Sequence, residues 1–187
     1  MNNYFTSDYH LDHANVIRYD KRPFKDTNEM NEYIIKMQNE TVKPEDNFFF
    51  LGDFSFNSKR TEYFLTRLTG KLHFIKGNHD HKDTVKLYEK YGNYLGEQRL
   101  INVNGQEIVL NHYSMDVWNK SHHGSWHLYG HSHGSLPDNK YARKFDVGCM
   151  LHKYIPLELE DVRKIINKKE YQPIDHHGKR DFERANN

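Results

Sequence analysis

Five short apolar runs, each followed within three residues by Asp, Asn or His, constrain the fold of this chain more than any other feature. Tyr4-Phe5-Thr6 leads to Asp8-Tyr9-His10, Phe48-Phe49-Phe50-Leu51 to Gly52-Asp53, and Leu72-His73-Phe74-Ile75 to Gly77-Asn78-His79-Asp80. Ile108-Val109-Leu110 leads to Asn111-His112, and Trp126-His127-Leu128-Tyr129 to Gly130-His131-Ser132-His133. Apolar runs of this length bounded by turn residues read as buried strands. The intervening segments are amphipathic, so the predicted class is α/β, with helices covering sheets. In layered α/β folds, side chains beyond the carboxyl ends of strands leave a rigid sheet and can converge on one rim. The glycines at 52, 77 and 130 would allow sharp exits and close backbone approach there.

The predicted helices follow from caps and periodicity. Asp26 and Glu29 stand in capping-box spacing ahead of Met30, Tyr33, Ile34 and Met37, which form one apolar face, and Lys43-Pro44 stops this helix. A second helix is predicted from a Ser58 cap to Leu68, closed by Gly70, and a third from Lys82 to Tyr91, closed by Gly92. Asn104-Gly105 between Leu100-Ile101-Asn102-Val103 and Gln106 to Leu110 is a hairpin signal, after which the sheet is expected to run antiparallel. A last helix carries Val162, Ile165 and Ile166. There is no internal repeat. One domain is expected over 1–167, followed by a polar, mobile tail over 168–187 in which His176 and His177 face solvent.

Composition excludes several classes. The 187 residues suffice for one continuous core without disulfides. With 27 Lys+Arg against 26 Asp+Glu the formal charge is +1, so no global field draws the chain to nucleic acid or an anionic membrane. A pure nucleic-acid-binding module is disfavoured for that reason and because no basic stripe with interleaved aromatics is present. Cys149 is the single cysteine, which excludes a disulfide framework and a cysteine-rich zinc module and suits a cytoplasmic location. Met1-Asn2-Asn3-Tyr4 does not read as a signal peptide, and a mean hydropathy of −0.99 without a long apolar run gives no membrane span. The chain holds 14 histidines, and imidazole is a common metal ligand.

Taken singly, each strand-end group has an ordinary explanation. Asp-x-His is more often a turn residue beside a surface histidine, and Gly-Asn-His-Asp or His-Ser-His can be a simple loop. The joint occurrence, in this order and always at a strand terminus, favours a metal centre. The residues resemble the calcineurin-like metallophosphoesterases, whose ordered motifs are Asp-x-His, Gly-Asp, Gly-Asn-His-Asp/Glu, a later His, and Gly-His-x-His. The resemblance runs from Tyr4 to Leu159. It implies a sandwich of two mixed β-sheets flanked by helices, with the ligands at one edge. It further implies one metal held by Asp8, His10 and His133, another by Asn78, His112 and His131, and Asp53 bridging them.

Two carboxylates, an amide oxygen and four imidazoles suit Mn, Fe, Zn or Ni better than Ca, with Mn favoured. Two such cations lower the pKa of a shared water and neutralise phosphoryl oxygens, so attack by hydroxide is possible at neutral pH. His79, beside ligand Asn78 and not needed for coordination, is the candidate general acid. The chain departs from protein Ser/Thr phosphatases, because Gly52-Asp53 runs into Phe54-Ser55-Phe56 instead of a second Asp and an Arg. It is closer to a small bacterial and phage subgroup that begins Ser-Asp-x-His-x-x-His-x-Asn, matched by Ser7 to Asn15, although members often carry Asp where Met150 stands. His13 and Asn15 are candidates for substrate contact, with capping and packing of the next segment as the alternative. Arg18, Lys21 and Arg22 are candidates to steer a phosphate, or form a solvated face. Trp118, in the loop from Asp116 to Ser125, is a candidate to stack a nucleobase, or packs under that loop.

The expected activity is hydrolysis of a phosphodiester in a nucleotide-like or nucleic-acid substrate. Phosphomonoester hydrolysis by the same machinery is the near alternative, and a catalytically silent interaction module on the same fold the distant one, since neither a ligand nor the acid is missing.

Overall fold

The computed structural model describes residues 1–175. The chain runs β1 (Asn3–Thr6), α1 (Ala14–Tyr19), α2 (Thr27–Thr41), β2 (Asn47–Leu51), α3 (Ser58–Leu65), β3 (Lys71–Ile75), α4 (Lys82–Tyr91), β4 (Asn93–Tyr94), β5 (Gln98–Val103), β6 (Gln106–Asn111), β7 (Trp126–Tyr129), β8 (Lys144–Asp146), β9 (Leu157–Glu158) and α5 (Leu159–Ile166). Two mixed sheets result, in the orders β4-β3-β2-β1-β9 and β5-β6-β7-β8. In the first, β1, β2, β3 and β4 are parallel, with Phe5 opposite Phe49 and Phe50 opposite Phe74, and β9 joins β1 antiparallel.

Alternation along β2 explains the layering, because successive side chains point to opposite faces. Phe48 and Phe50 enter a helix-side core with Tyr9, Met30, Ile34, Phe54, Phe64, Phe74 and Tyr88. Phe49 and Leu51 enter a second core shared by both sheets, with Phe5, Ile108, Leu110, Trp126, Leu128 and, from α5, Val162 and Ile166. The helix-side core is rich in aromatic contacts: Phe74 stacks on Tyr88 at 4.2 Å, and Phe50 meets Phe54 edge-on at 5.3 Å.

Helix α2 starts where its cap demands, since the Asp26 carboxylate accepts from Glu29 N at 2.8 Å, while Glu29 itself reaches back to Lys25 N. Its buried face differs from the one expected: Met30, Asn31, Ile34, Ile35 and Gln38 are buried, whereas Tyr33 is exposed. Asn31 and Gln38 are accommodated because each is hydrogen-bonded, Asn31 to Asp12 and Gln38 to the Thr69 backbone. The cap of α3 is Asn57, one residue earlier than expected, and the helix ends at Leu65. Asn104 and Gly105 form the expected tight turn, with φ of 51° and 83°, and β5 pairs antiparallel with β6. The sheet does not continue antiparallel. β6 pairs parallel with β7 and β7 with β8, because the 112–125 connection is long enough to return the chain to the starting end.

Residues 168–175, placed in the polar tail by sequence, contact the body: Gln172 N donates to Tyr141 O at 2.8 Å, and Ser121 Oγ donates to Asp175 at 2.8 Å. His176 and His177 lie outside the described residues. No helix among the described residues is long and apolar enough to cross a membrane.

Phe50, fully buried between β2 and the helices, is the centre of the helix-side core. Phe50→Ala is expected to lower unfolding free energy by about 3–5 kcal/mol in denaturant titration; a loss below about 1 kcal/mol would contradict the packing described.

Candidate metal centre

The five strands that carry ligand candidates, β1, β2, β3, β6 and β7, are parallel within each sheet, so their carboxyl ends share one rim. Strand pairing persists into the loops. Asp8 N donates to Gly52 O and His10 N to Asp53 O, both at 3.0 Å, and Gly130 N donates to His112 O at 3.0 Å. The loops are therefore fixed by backbone bonds before any side-chain chemistry begins.

The exits from the strands are sharply bent. Asp8, His10, Asp53, His131 and His133 all have φ between 47° and 67°, a region that non-glycine residues seldom occupy. Each such residue costs of order 1–3 kcal/mol and persists only where its surroundings hold it. Gly52, with φ 98°, and Gly77 come so close that a Cβ on Gly77 would lie 2.2 Å from Asp53 Oδ1. The close approach expected at these glycines is thus to the neighbouring loop and its carboxylate.

All seven ligand candidates meet. His10 Nε2 is 3.1 Å from His133 Nε2, and Asp8 Oδ1 is 3.5 Å from His133 Nε2 and 3.9 Å from His10 Nε2. On the other side, His112 Nε2 is 3.0 Å from Asn78 Oδ1, and His131 offers a ligand atom within 4.8 Å of those of His112 and Asp53. Between the two groups sits Asp53, whose Oδ2 is 3.6 Å from His10 Nε2 and 3.3 Å from His112 Nε2.

Asp53 is anchored through one oxygen and presents the other, whereas Asp8 is held at both. Asp53 Oδ1 accepts the His79 backbone N–H at 2.8 Å, which leaves Oδ2 facing inward. Asp8 Oδ2 accepts Ser7 Oγ at 2.6 Å, and the His131 N–H is shared by both of its oxygens. The imidazoles are fixed in the same manner. His112 Nδ1 donates to Leu51 O at 2.8 Å, and His133 Nδ1 lies 2.8 Å from Asp20 Oδ2, so both present Nε2. A histidine whose far nitrogen is held by a carbonyl or carboxylate is the usual form of a metal-binding imidazole.

Electrostatics shows a centre that calls for positive charge. Burial works to raise the Asp8 and Asp53 carboxyls, but hydrogen bonds and charges from the surrounding histidines outweigh it, and Asp53 is held at about 2. Burial also works to lower the His133 imidazole, yet hydrogen bonds to Asp20 and Asp8 overcome it and push it up to about 10. His10, for which burial dominates, falls to about 3. The donor spacing comes near what a cation needs: the distances above run from 3.0 to 3.9 Å, against about 3.0–3.4 Å for ligands about 2.1 Å from one cation in octahedral or tetrahedral arrangement. The residues present therefore fit metal ions, in two groups, Asp8-His10-His133 and Asp53-His112-His131.

Other residues named from sequence are placed as follows. His79 lies beside both groups, its ring 5.4 Å from that of His10. The His13 ring stacks on Phe56 at 4.1 Å and lies 5.5 Å from His10. Asn15 and Arg18 are exposed on α1. Arg22 is neither a steering cation nor part of a solvated face: it is 4% exposed, and its guanidinium donates to Asp20, Tyr9 O and Asp8 O. Trp118 is 6% exposed, with Nε1 bonded to Ser125 and its ring against His127, so packing under the loop replaces the expected stacking surface. Met150 packs against the helix-side core.

Three residues were not singled out by sequence reasoning. Asp20 orients His133; Asp146 accepts Ser132 Oγ and Gly134 N, fixing the His-Ser-His loop; and buried Asp80 accepts the N–H groups of Gly77, Asp53 and Phe54 at 2.8–3.1 Å. Only Asp80 had a signal, its place in Gly-Asn-His-Asp.

A protein of Methanocaldococcus jannaschii described as uncharacterized is 33% identical over 173 residues, covering 88% of this chain and 91% of that one. The solved structure of an Aquifex aeolicus protein of unknown function superposes with a TM-score of 0.68 at 21% identity, over 88% of this chain and 98% of that chain, a likeness of fold. A novel archaeal phosphodiesterase of known structure reaches a TM-score of 0.48 at 16% identity, over 85% of this chain and 99% of that chain. Residues 1–146 match the profile of the calcineurin-like phosphoesterase superfamily domain, and with two mixed sheets and two clustered ligand groups on their shared rim, the chain belongs to that superfamily.

Proposed function

We propose that the protein hydrolyses phosphodiester bonds in a nucleotide-like or nucleic-acid substrate, using two transition metals chosen from Mn, Fe, Zn and Ni, with Mn first. Asp8, His10 and His133 would hold one, Asn78, His112 and His131 would hold the other, and Asp53 would serve both. The observation that carries this reading is the position of Asp53 Oδ2, 3.6 Å from one group's His10 and 3.3 Å from the other group's His112. When bound, the metals supply charge neutralisation for phosphoryl oxygens and a hydroxide nucleophile at neutral pH.

The chain's own groups do the rest. Asp8 and Asp53 contribute fixed negative charge that keeps both cations in place, and their anchored oxygens prevent rotation. His79 donates a proton to the departing oxygen. Its backbone N–H donates to Asp53 Oδ1, which places the acid next to the shared ligand. Asp20 sets the orientation of His133, and buried Arg22 sets that of Asp20. This network meets the site at two points, the His133 imidazole and the Asp8 backbone carbonyl.

Two experiments test the reading. Turnover of bis(p-nitrophenyl) phosphate and p-nitrophenyl phosphate over a panel of Mn, Fe, Zn and Ni is expected to favour the diester; preference for the monoester would shift the assignment to a phosphomonoesterase, and inertness toward both would remove it. His79→Ala is expected to keep its metals by elemental analysis while kcat falls about 10²–10⁴-fold. Asp53→Ala is expected to lose them. Equal metal loss in both variants would show that His79 is a ligand and not the acid.

A further inference from the structure

Phe56 is the one exposed phenylalanine among the described residues, at 53%. It follows Asp53 in the loop between β2 and α3, and that loop is firmly held. Its backbone N–H donates to Leu11 O at 2.9 Å, Ser55 Oγ donates to the same carbonyl at 3.3 Å, and Asn57 caps α3 through Lys59 N. An apolar ring kept in water on a fixed backbone is unfavourable by itself, because about 25 cal/mol is forgone for each Å² left unburied. Its surroundings are specific. One face stacks on the His13 imidazole, with centroids 4.1 Å apart and planes 7° from parallel, and the ring lies 5.8 Å from that of His79. His13 Nδ1 is buried without a hydrogen-bond partner among the described residues, so the stack with Phe56 helps to set the position of this imidazole.

We infer that Phe56 is a stacking platform for a planar aromatic ring, a nucleobase, carried by the leaving group of the substrate. The inference rests on the proposed role of His79: if that imidazole protonates the leaving oxygen, the body of the leaving group lies beside it, and Phe56, its ring 5.8 Å from that imidazole, is an exposed aromatic surface within reach. Stacking on an aromatic side chain tolerates every base, since each has a π-face. The platform therefore selects nucleoside leaving groups without selecting sequence. A preformed, rigid ring keeps the ordering cost of binding low.

The test compares esters that differ only in the base. One pair is a dinucleoside monophosphate and its analogue with an abasic ribose on the leaving side; the other is adenosine 5′-monophosphate and ribose 5-phosphate. Wild-type protein is expected to favour the base-bearing member in kcat/KM. Phe56→Ala is expected to lower that preference about tenfold, mainly through KM of the base-bearing ester. Phe56→Leu, which fills the space over His13 without a flat face, is expected to act like Ala, and Phe56→Trp to retain the preference. If wild type shows no preference, or if Phe56→Ala lowers turnover of both members equally, the ring only supports His13 and the platform is refuted. Which pair is turned over reports separately on the diester reading: hydrolysis of the monoester pair alone overturns that reading and still judges Phe56.

Discussion

A buried carboxylate holds the two central loops of the site together. Asp80, at the end of the third ligand-bearing strand, accepts three backbone N–H groups: one from its own loop at Gly77 and two from the loop after β2, at Asp53 and Phe54. Burial raises its carboxyl above the usual value, the sign of a group whose position is imposed by its surroundings. Losing it would leave three buried donors without an acceptor, each at a cost of about 1–3 kcal/mol. Through this contact the chain can hold Asp53 at a positive φ and press Gly77 against it. The left-handed conformations at Asp8, His10 and His131 are held in the same way by bonds to neighbouring loops. Stability in the aromatic core supports a strained rim, and the rim gathers charge that water would otherwise separate.

The division between what was legible in the sequence and what was not follows from range. Ligand candidates stood just after apolar runs, and parallel strands with short exits leave such residues little freedom, so convergence of five strand ends on one rim could be anticipated; that Asp8, His10, Asp53, Asn78, His112, His131 and His133 are the ligand set was what the family resemblance implied. The hairpin at Asn104-Gly105 and the start of α2 at Asp26 were legible because their signals are local. Asp20 was not, since its partner His133 is 113 positions away and no local pattern marks the pair. Arg22 read as a surface cation because sequence does not reveal three carbonyl and carboxylate acceptors folded around it. The face of α2 was misjudged because Asn31 and Gln38 are polar yet satisfied inside the protein. Strand direction after β6 depended on where the 112–125 connection returned, which is a matter of tertiary packing.

The structure also reassigns the aromatic chemistry around the site. Trp118, the residue a sequence reader would choose for stacking, is enclosed and hydrogen-bonded. Phe56, inconspicuous after Gly-Asp, is exposed and lies beside both His13 and His79. Exposure and orientation, not residue type, separate a platform from a core residue.

The account depends on two cations sharing one carboxylate oxygen. Anomalous diffraction from crystals of the Mn-loaded protein addresses it directly. It predicts two peaks, one among Asp8, His10 and His133 and one among Asn78, His112 and His131, both within coordination reach of Asp53 Oδ2. A single peak, or ions bound away from these seven side chains, would contradict it.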